Sequence, residues 1–397
     1  MALVSRRCRK DPERTAALAL SFFLGGVIKR PVRLPTAKMA PGEIWGCSSA
    51  ALAALLKLSA TEAALLASFR KSFSHACAEQ QLRDAGMEFV ALGDELYPAE
   101  LGLIYDPPAG LFLAGACGPP AGRLDGGKAD LAPEAARARA SRRLQELMSC
   151  HRIAIIGARA ASRYGLDAAR QLAAQLSGRS VCIISGLALG VDAAAHRGAL
   201  EGGGGTIAVL GCGADNVYPI ANSGLYRRLL KSGVIISEYP PGTRPLPWRF
   251  PARNRIIAGL SEAAVVVEAR DKSGALITSD FCLQQGKEVF AVPGSIFSDL
   301  SAGPNALIKM GATPMTGAAD ILESWGIETK GDGGNDVPPT DLTGDEELVY
   351  RALDSTFRHQ DSLGVIAGMD SRKITAVLVS LEIKGLARHE PGRGYSR

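Results

Sequence analysis

One segment of the chain interleaves cations with aromatic rings. Between Tyr239 and Ser261 it contains no acidic residue and carries four arginines and two large rings: Arg244, Trp248, Arg249, Phe250, Arg253 and Arg255. Guanidinium groups neutralise phosphates, and rings stack on unpaired bases with a stabilisation of roughly 1–3 kcal/mol per base. The pattern is compatible with a site for single-stranded nucleic acid. The alternative is that both rings are buried and that one arginine pairs with Glu238 or Glu262.

Two glycine-containing turns could hold an anion. Gly157-Ala158-Arg159 follows the apolar run 152–156, and Ser185-Gly186 ends the apolar run 181–185. If these runs are neighbouring parallel strands, their turns meet at the carboxyl edge of one sheet, where open α/β sheets bind ligands. Small residues let a ligand approach the backbone, and the helix N-termini that follow favour anions. Arg159 adds a planar cation suited to phosphate.

The elements that must position these turns are short β-branched runs alternating with helical stretches. Strands are predicted at 152–156, 181–185, 206–210, 234–238, 263–268 and 288–292. Helices are predicted at 167–176, 191–200, 225–230 and 274–285. This alternation predicts βαβ units and an α/β fold with a Rossmann-like, doubly wound parallel sheet. The four glycines at 202–205 are expected to end a helix rather than to bind a ligand.

The chain is predicted to have five parts. They are an N-terminal helical domain (1–95), a connector with a Gly/Pro-rich and basic insertion (96–150), the Rossmann-like core (151–325), a linker (326–344) and a C-terminal domain (345–397). Asp11 and Pro12 predict the start of a first helix rather than a signal peptide. In the last part the order helix, helix, helix, hairpin resembles a winged helix. Such a domain can contact DNA or protein, and the role of the insertion is not assigned.

Composition is that of a soluble globular protein. The chain has 397 residues, 47% hydrophobic and 21% charged, and a net charge of +5 that permits a polyanionic partner without requiring one. Its eight cysteines form no CxxC pair, so we expect no metal site and a reducing, cytoplasmic location. No apolar run approaches the ~20 residues of a membrane span, and no membrane association is expected.

Many motifs in order resemble the DNA-processing protein A family (DprA/Smf). They are Gly157-Ala-Arg159, Ser185-Gly-Leu-Ala-Leu-Gly-Val-Asp192 with Ala195-His196, Thr206 to Gly213 with Tyr218-Pro219, Ser237-Glu238, Arg249-Phe-Pro-Ala-Arg-Asn-Arg255 through Ser261, Val266-Val-Glu268, Ser273-Gly274, Val289 to Gly294, and Ser301-Ala-Gly-Pro-Asn305 with Leu307-Ile308. The resemblance covers roughly residues 88 to 325. Members combine a helical N-terminal domain, an extended Rossmann-like core and often a winged helix.

The resemblance implies a non-enzymatic protein that binds single-stranded DNA without a cofactor. It implies further that the protein protects incoming DNA, loads the RecA recombinase on it, notably in natural transformation, and forms a homodimer. The DNA-binding residues that it implies are Gly157, Ala158, Arg159, Ser185, Gly186, Arg249, Phe250, Arg253, Asn254 and Arg255. Ala158 departs from the family pattern because it lacks the usual hydroxyl. One phosphate hydrogen bond is therefore lost or supplied by a backbone N–H.

Two other functions fit the sequence less well. A nucleotide-processing enzyme of the related phosphoribohydrolase type is the alternative, but Pro293-Gly-Ser-Ile-Phe-Ser298 lacks the Gly-Thr-Glu ending of that loop. A dinucleotide-dependent oxidoreductase is excluded because the turn at 157–162 is not G-x-G-x-x-G. Asp192 and His196 are expected to brace a turn, with His196 hydrogen-bonded to Asp192. Glu238 and Glu268 are expected to pair with Arg253 or Arg255.

Overall fold

The structure, a computed structural model, describes residues 11–115, 133–327, 342–353, 357–390 and 394–396, with side chains of the 133–148 helix described from residue 140. The chain divides into two compact units, which meet in sequence between Gly326 and Ile327. The Gly/Pro-rich stretch of the insertion and most of the predicted linker lie outside the described residues. The finer division of the first unit into a helical domain, a connector and a core stays a prediction.

The described part of the first unit contains a sheet of nine strands. They are β1 (Glu88–Ala91), β2 (Gly110–Gly115), β3 (Arg152–Ile156), β4 (Cys182–Ser185), β5 (Thr206–Leu210), β6 (Val234–Ser237), β7 (Ala263–Val266), β8 (Glu288–Ala291) and β9 (Thr313–Pro314). Their spatial order is β1-β2-β6-β5-β4-β3-β7-β8-β9. The strands from β6 to β9 are parallel, which confirms the predicted doubly wound α/β sheet.

The strand order contains a reversal at β3. From β3 the chain adds β4, β5 and β6 on one side, and it then crosses back to place β7 and β8 on the other side. The crevice outside the carboxyl ends of β3 and β7 is a topological switch point, the usual ligand site of such sheets. The sequence patterns did not predict the antiparallel pairing at the other edge of the sheet. There β2 pairs antiparallel with β6, and β1 pairs antiparallel with β2.

Helices cover both faces of the sheet. They are α1 (Pro12–Phe22), α2 (Pro41–Gly46), α3 (Ser49–Leu55), α4 (Ala60–Ser72), α5 (His75–Asp84), α6 (Ala99–Gly102), α7 (Pro133–Met148), α8 (Arg163–Ser177), α9 (Val191–Glu201), α10 (Ser223–Ser232), α11 (Arg249–Leu260), α12 (Gly274–Gln284), α13 (Ala302–Lys309) and α14 (Ala319–Ser324). Alternate side chains of β5 enter the two cores. Ala208 and Leu210 pack with the N-terminal helices, α9 and α10, whereas Ile207 and Val209 pack with α7, α11 and α12.

The first helix begins as predicted. The Asp11 side chain accepts a hydrogen bond from the backbone N–H of Glu13, and Pro12 occupies the first helical position. Both features favour a helix start because Asp satisfies a free N–H and proline has none to leave unpaired. Across the described ranges we find no helix with both the length and the apolarity to cross a membrane.

The second unit has the predicted order of a winged helix. It comprises α15 (Gly344–Ala352), α16 (Gln360–Ala367), α17 (Ser371–Ile383) and the antiparallel pair β10 (Arg388–Glu390) and β11 (Gly394–Ser396). One face of α17 supplies Ile374, Leu378 and Leu381 to a small core. The buried Glu346 carboxylate on α15 pairs with Lys384 at 2.8 Å.

Candidate nucleic-acid interface

A cleft of about 490 Å³ lies at the switch point. Its walls are the loop after β3, the loop after β7 and one face of α11. Among the described residues that line it, the charged side chains are Arg159, Asp192, Arg253, Arg270 and Lys272. Four cations thus face one carboxylate, and a low-dielectric cleft lined by one sign of charge concentrates anions.

The cation at the mouth of the cleft rests on an aromatic pair. The Arg159 guanidinium carbon lies 5.2 Å from the centre of the Phe250 ring. The Phe250 ring in turn stacks on Tyr218, with 5.4 Å between centroids and 29° between planes. Arg159 is exposed and Phe250 is half-buried. A cation held on a ring face is positioned without being neutralised, so its charge stays available to a phosphate.

Arg253 forms the floor of the cleft and is only 4% exposed. Its Nη1 donates to the carbonyl of Gly186 at 2.9 Å and to that of Val209, and its Nε donates to Asn254 Oδ1 at 3.3 Å. Nη2 makes no hydrogen bond to the described residues. Burial lowers the pKa of this guanidinium, although Asp192 opposes the shift. Arg253 is therefore a fixed cation with one donor group left over.

The one carboxylate in the cleft is already engaged. Asp192 Oδ2 accepts the backbone N–H groups of Gly186 at 3.1 Å and Ala188 at 3.4 Å, so it braces the turn after β4 as predicted. Burial raises its pKa, which Arg253 partly offsets. The predicted bond from His196 is wrong, because its Nδ1 lies 2.7 Å from Thr206 Oγ1 instead. Burial is the larger cause and the positive charge of Arg253 the smaller one, and together they lower the His196 pKa to about 3. The ring is therefore neutral.

The far wall of the cleft contains cations that the sequence patterns did not single out. Arg270 and Lys272 are exposed in the loop after β7, and neither forms an ion pair with the described residues. Asn254 Nδ2 holds this wall to α11 by donating to the Gly274 carbonyl at 3.2 Å. The signal that could have found the two cations is their place directly after a strand. It becomes informative only once β7 is known to lie beside β3.

Six of the ten predicted residues line the cleft: Gly157, Ala158, Arg159, Phe250, Arg253 and Asn254. Two others lie behind it. Ser185 is fully buried, and its Oγ donates to the Ile155 carbonyl at 2.7 Å. Gly186 supports the floor, since a Cβ there would lie 2.4 Å from Arg253 Nη2. The structure therefore brings the two turns and α11 together with the Ser185 hydroxyl buried, and the DNA-binding role of Ser185 remains a prediction.

The structure does not bring Arg249 and Arg255 into the cleft. Arg249 donates to the carbonyls of Arg244 and Gly25, at 2.7 Å each, and ties α11 to the N-terminal region. Arg255 pairs with Glu238 at 2.5 Å, as predicted for Glu238, and with Asp106 at 3.2 Å. Burial opposes the charge of Arg255, but these two carboxylates outweigh it and raise its pKa. Their DNA-binding roles remain predictions, and their contacts are those of structural residues.

Two backbone features expected to bind an anion are engaged within the chain itself. The Ala158 N–H donates to the Glu268 carbonyl at 2.7 Å, so it is not free to replace the phosphate hydrogen bond of the missing hydroxyl. The N-terminus of α8 is filled by the Glu268 carboxylate, which accepts from the backbone N–H of Ser162 at 2.8 Å and from its Oγ. Glu268 thus pairs with neither Arg253 nor Arg255. A carboxylate of the chain takes the place where a ligand anion was expected.

Fold and cleft together define a doubly wound α/β protein with a cationic switch-point crevice, followed in the chain by a winged helix. The family model "DNA recombination-mediator protein A" matches residues 143–326, and "DprA winged helix domain" matches residues 335–393. This chain belongs to the DprA/Smf family of DNA-processing recombination mediators.

Individual relatives cover most of both chains. DNA processing protein DprA of Bacillus subtilis is 36% identical over 241 residues, which are 61% of this chain and 72% of the relative. Protein Smf of Escherichia coli is 34% identical over 325 residues, 80% of this chain and 79% of the relative. The X-ray structure of DprA from Streptococcus pneumoniae superposes with a TM-score of 0.58 at 34% identity, covering 70% of this chain and 86% of that one.

Proposed function

We propose that the protein binds single-stranded DNA in the switch-point cleft and acts there as a recombination mediator without catalysing a reaction. The observation that carries the proposal is the imbalance of charge in the cleft. Arg159, Arg253, Arg270 and Lys272 face Asp192, whose carboxylate is engaged by two backbone N–H groups. A phosphate chain supplies the missing negative charge.

The aromatic pair favours an unpaired strand over a duplex. Phe250 lines the cleft, stacks on Tyr218 beside it, and carries the cation that would hold a phosphate. In a duplex the base faces are covered by their neighbours, whereas in a single strand each base can leave the stack and lie on a ring. Cations and rings at one site support sequence-tolerant binding of single-stranded DNA.

The lining of the cleft supports binding rather than catalysis. Among the described residues that line it there is no cysteine, histidine or glutamate. The Ser273 hydroxyl accepts from the Ala275 N–H and caps α12, and no histidine or glutamate among the described lining residues could serve as its activating base. Incubation with nucleoside monophosphates followed by assay for released base tests the phosphoribohydrolase alternative. We expect no turnover.

Family membership supports three further proposals. The bound strand is protected and passed to the RecA recombinase, as in natural transformation, the protein acts as a homodimer, and it works in the cytoplasm where RecA and incoming DNA meet. RecA filament formation on DNA coated with a single-strand-binding protein, measured with and without this chain, tests the loading step. Light scattering during size-exclusion chromatography tests the dimer.

A salt titration tests DNA binding itself. Affinity for a single-stranded oligonucleotide is measured from low to high salt, beside a duplex of equal length. We expect preference for the single strand and a log–log slope of about −0.7 per phosphate contact. Arg159→Ala together with Arg253→Ala should weaken binding to every sequence. Arg83→Ala, which removes an exposed cation on α5, is the matched control. Equal affinity of the double variant and the control would reject the proposal.

A further inference from the structure

Tyr218 is the more exposed ring of the aromatic pair that it forms with Phe250. Its side chain is 41% exposed, and its hydroxyl makes no hydrogen bond to the described residues. It stacks on Phe250 at 5.4 Å, and Phe250 carries the Arg159 guanidinium at 5.2 Å. A contact series therefore runs from the cation Arg159 in the cleft, through the ring of Phe250, to the exposed ring of Tyr218 beside the cleft.

The Phe250 ring is less accessible than its place in the family motif implies. It is half-buried and is contacted by Arg159 and by Tyr218. The backbone of Gly211 approaches it as well, since a Cβ at Gly211 would lie 3.0 Å from Phe250 Cδ1. With these three neighbours, Phe250 serves as the support of the series. Tyr218 retains the larger free surface.

The exposed ring of Tyr218 suits a base rather than a phosphate. Ile220, two residues further along the chain, is 79% exposed as well. An exposed aromatic ring offers stacking area, and every base has a face that can use it. The nearest cation of the series, Arg159, is placed to hold the phosphate of the same nucleotide.

We propose that Tyr218 is a nucleobase-stacking residue, on which one base of a bound single strand lies while its phosphate reaches Arg159. This inference rests on the proposed function, because it concerns the strand held in the cleft. It adds a contact to the base outside the cleft, one that requires the ring and not the hydroxyl. The contact is tolerant of sequence, since it depends on the face of the base.

The experiment separates stacking from charge. The full chain and its variants Tyr218→Ala and Tyr218→Phe are titrated with a thymidine oligonucleotide and with an abasic oligonucleotide of the same length and charge. Tyr105→Ala is the matched control, because Tyr105 is 79% exposed with Arg33 5.9 Å from its ring, and it does not line the cleft. Thermal unfolding of each variant establishes that it is folded.

We expect Tyr218→Ala to weaken binding of the thymidine oligonucleotide by about 5- to 150-fold, with an unchanged salt slope and unchanged affinity for the abasic strand. Tyr218→Phe and Tyr105→Ala should match the wild type. Equal affinity of Tyr218→Ala and the wild type for the thymidine strand would overturn the inference and leave the proposed function intact. An equal loss for both oligonucleotides would also overturn it, by indicating a structural role. A wild type that binds neither strand would reject the proposed function itself.

Discussion

The arginines on the two sides of α11 have opposite roles. One side presents Phe250, Arg253 and Asn254 to the switch-point cleft. The other presents Ala252 and Arg255 to a second cavity of about 400 Å³, which is mostly apolar and contains Asp106 and Glu238. In this second cavity Arg255 has two carboxylate partners, and Arg33 lies 3.7 Å from Asp106. In the cleft the cations outnumber the carboxylate four to one.

The presence of arginine does not distinguish a binding surface from a structural one. The difference is whether carboxylates of the chain compensate the charge of the guanidinium. A buried and fully paired guanidinium has satisfied donors, so an incoming anion gains little from it. A guanidinium held by backbone carbonyls and a ring keeps its charge, because neutral partners position it without cancelling it. Arg255 is of the first kind, whereas Arg159 and Arg253 are of the second.

The largest effect should come from the paired side of α11. Arg255→Ala leaves the carboxylates of Glu238 and Asp106 without their main partner in a part-buried site, and it should lower the free energy of unfolding by about 3–5 kcal/mol. Urea denaturation at pH 7 measures this. Arg170→Ala, which removes an exposed pair with Glu201, should cost less than about 1 kcal/mol. Similar losses in the two variants would remove the distinction between the sides.

The next effect should come from the cleft and should appear in binding instead. Arg159→Ala is expected to weaken the binding of single-stranded DNA by about 1.5–3 kcal/mol, since a charge-assisted contact is lost. Its salt slope should fall by about 0.7. Because Arg159 is exposed, unfolding should change little. A variant with normal affinity and reduced stability would place Arg159 in the same class as Arg255.

A third effect concerns the neutral histidine beneath the cleft. Its folded-state pKa of about 3 lies below the unfolded value of about 6.5, so the unfolded chain binds more protons between these two values. The contribution of His196 to stability is therefore complete above pH 6.5 and is lost as the pH falls towards 3. From pH 7 to pH 5 this should lower the free energy of unfolding by about 2 kcal/mol.

His196→Asn is the matched variant for that test. Its amide can donate to Thr206 Oγ1, whose own hydrogen goes to the Ile183 carbonyl, but it does not titrate. Denaturation series at pH 7, 6 and 5 should therefore show a shallower decline for His196→Asn than for the wild type. Parallel declines would mean that His196 is protonated in the folded protein, which the cationic and buried surroundings of the cleft floor do not favour.

The smallest effect should come from an exposed cation in the loop after β7. Lys272→Ala removes an exposed cation without an ion partner among the described residues, so stability should be unchanged. We expect slower association and a salt slope reduced by about 0.7, because rim charges act chiefly on the encounter of the two partners. Stopped-flow mixing with labelled DNA measures both. An unchanged slope would exclude Lys272 from the phosphate contacts.

Much of the sheet was predictable because its strands are short apolar runs between helices. The predicted runs 152–156 and 206–210 match β3 and β5 at both ends. The antiparallel edge was not predictable, since nothing local in Glu88–Ala91 indicates that it pairs with Gly110–Gly115 across a helix. Pairing of that kind depends on a core shared by the N-terminal helices and the sheet.

The site was predictable only where one local turn carries the signal. Arg159 follows a strand and a glycine, so its place at the sheet edge could be predicted. The residues of α11 could not be sorted, because the segment was not predicted as a helix. Once it is helical, Phe250, Arg253, Asn254 and Ile257 fall on one face and Arg255 falls on another. The place of Arg270 and Lys272 in the cleft could be predicted only from the strand order, which sets β7 beside β3.

The Glu268 carboxylate at the start of α8 has a consequence for selectivity. In many sheets of this kind the helix after the first strand receives the pyrophosphate of a nucleotide. Here Glu268 occupies that position. Glu268 is 2% exposed, and its carboxylate carries a negative charge. A compact di- or triphosphate would meet repulsion there, whereas a polymer can spread its charges over the cations around it. We therefore expect the cleft to remain open to long strands even when the cellular pool of free nucleotides is abundant.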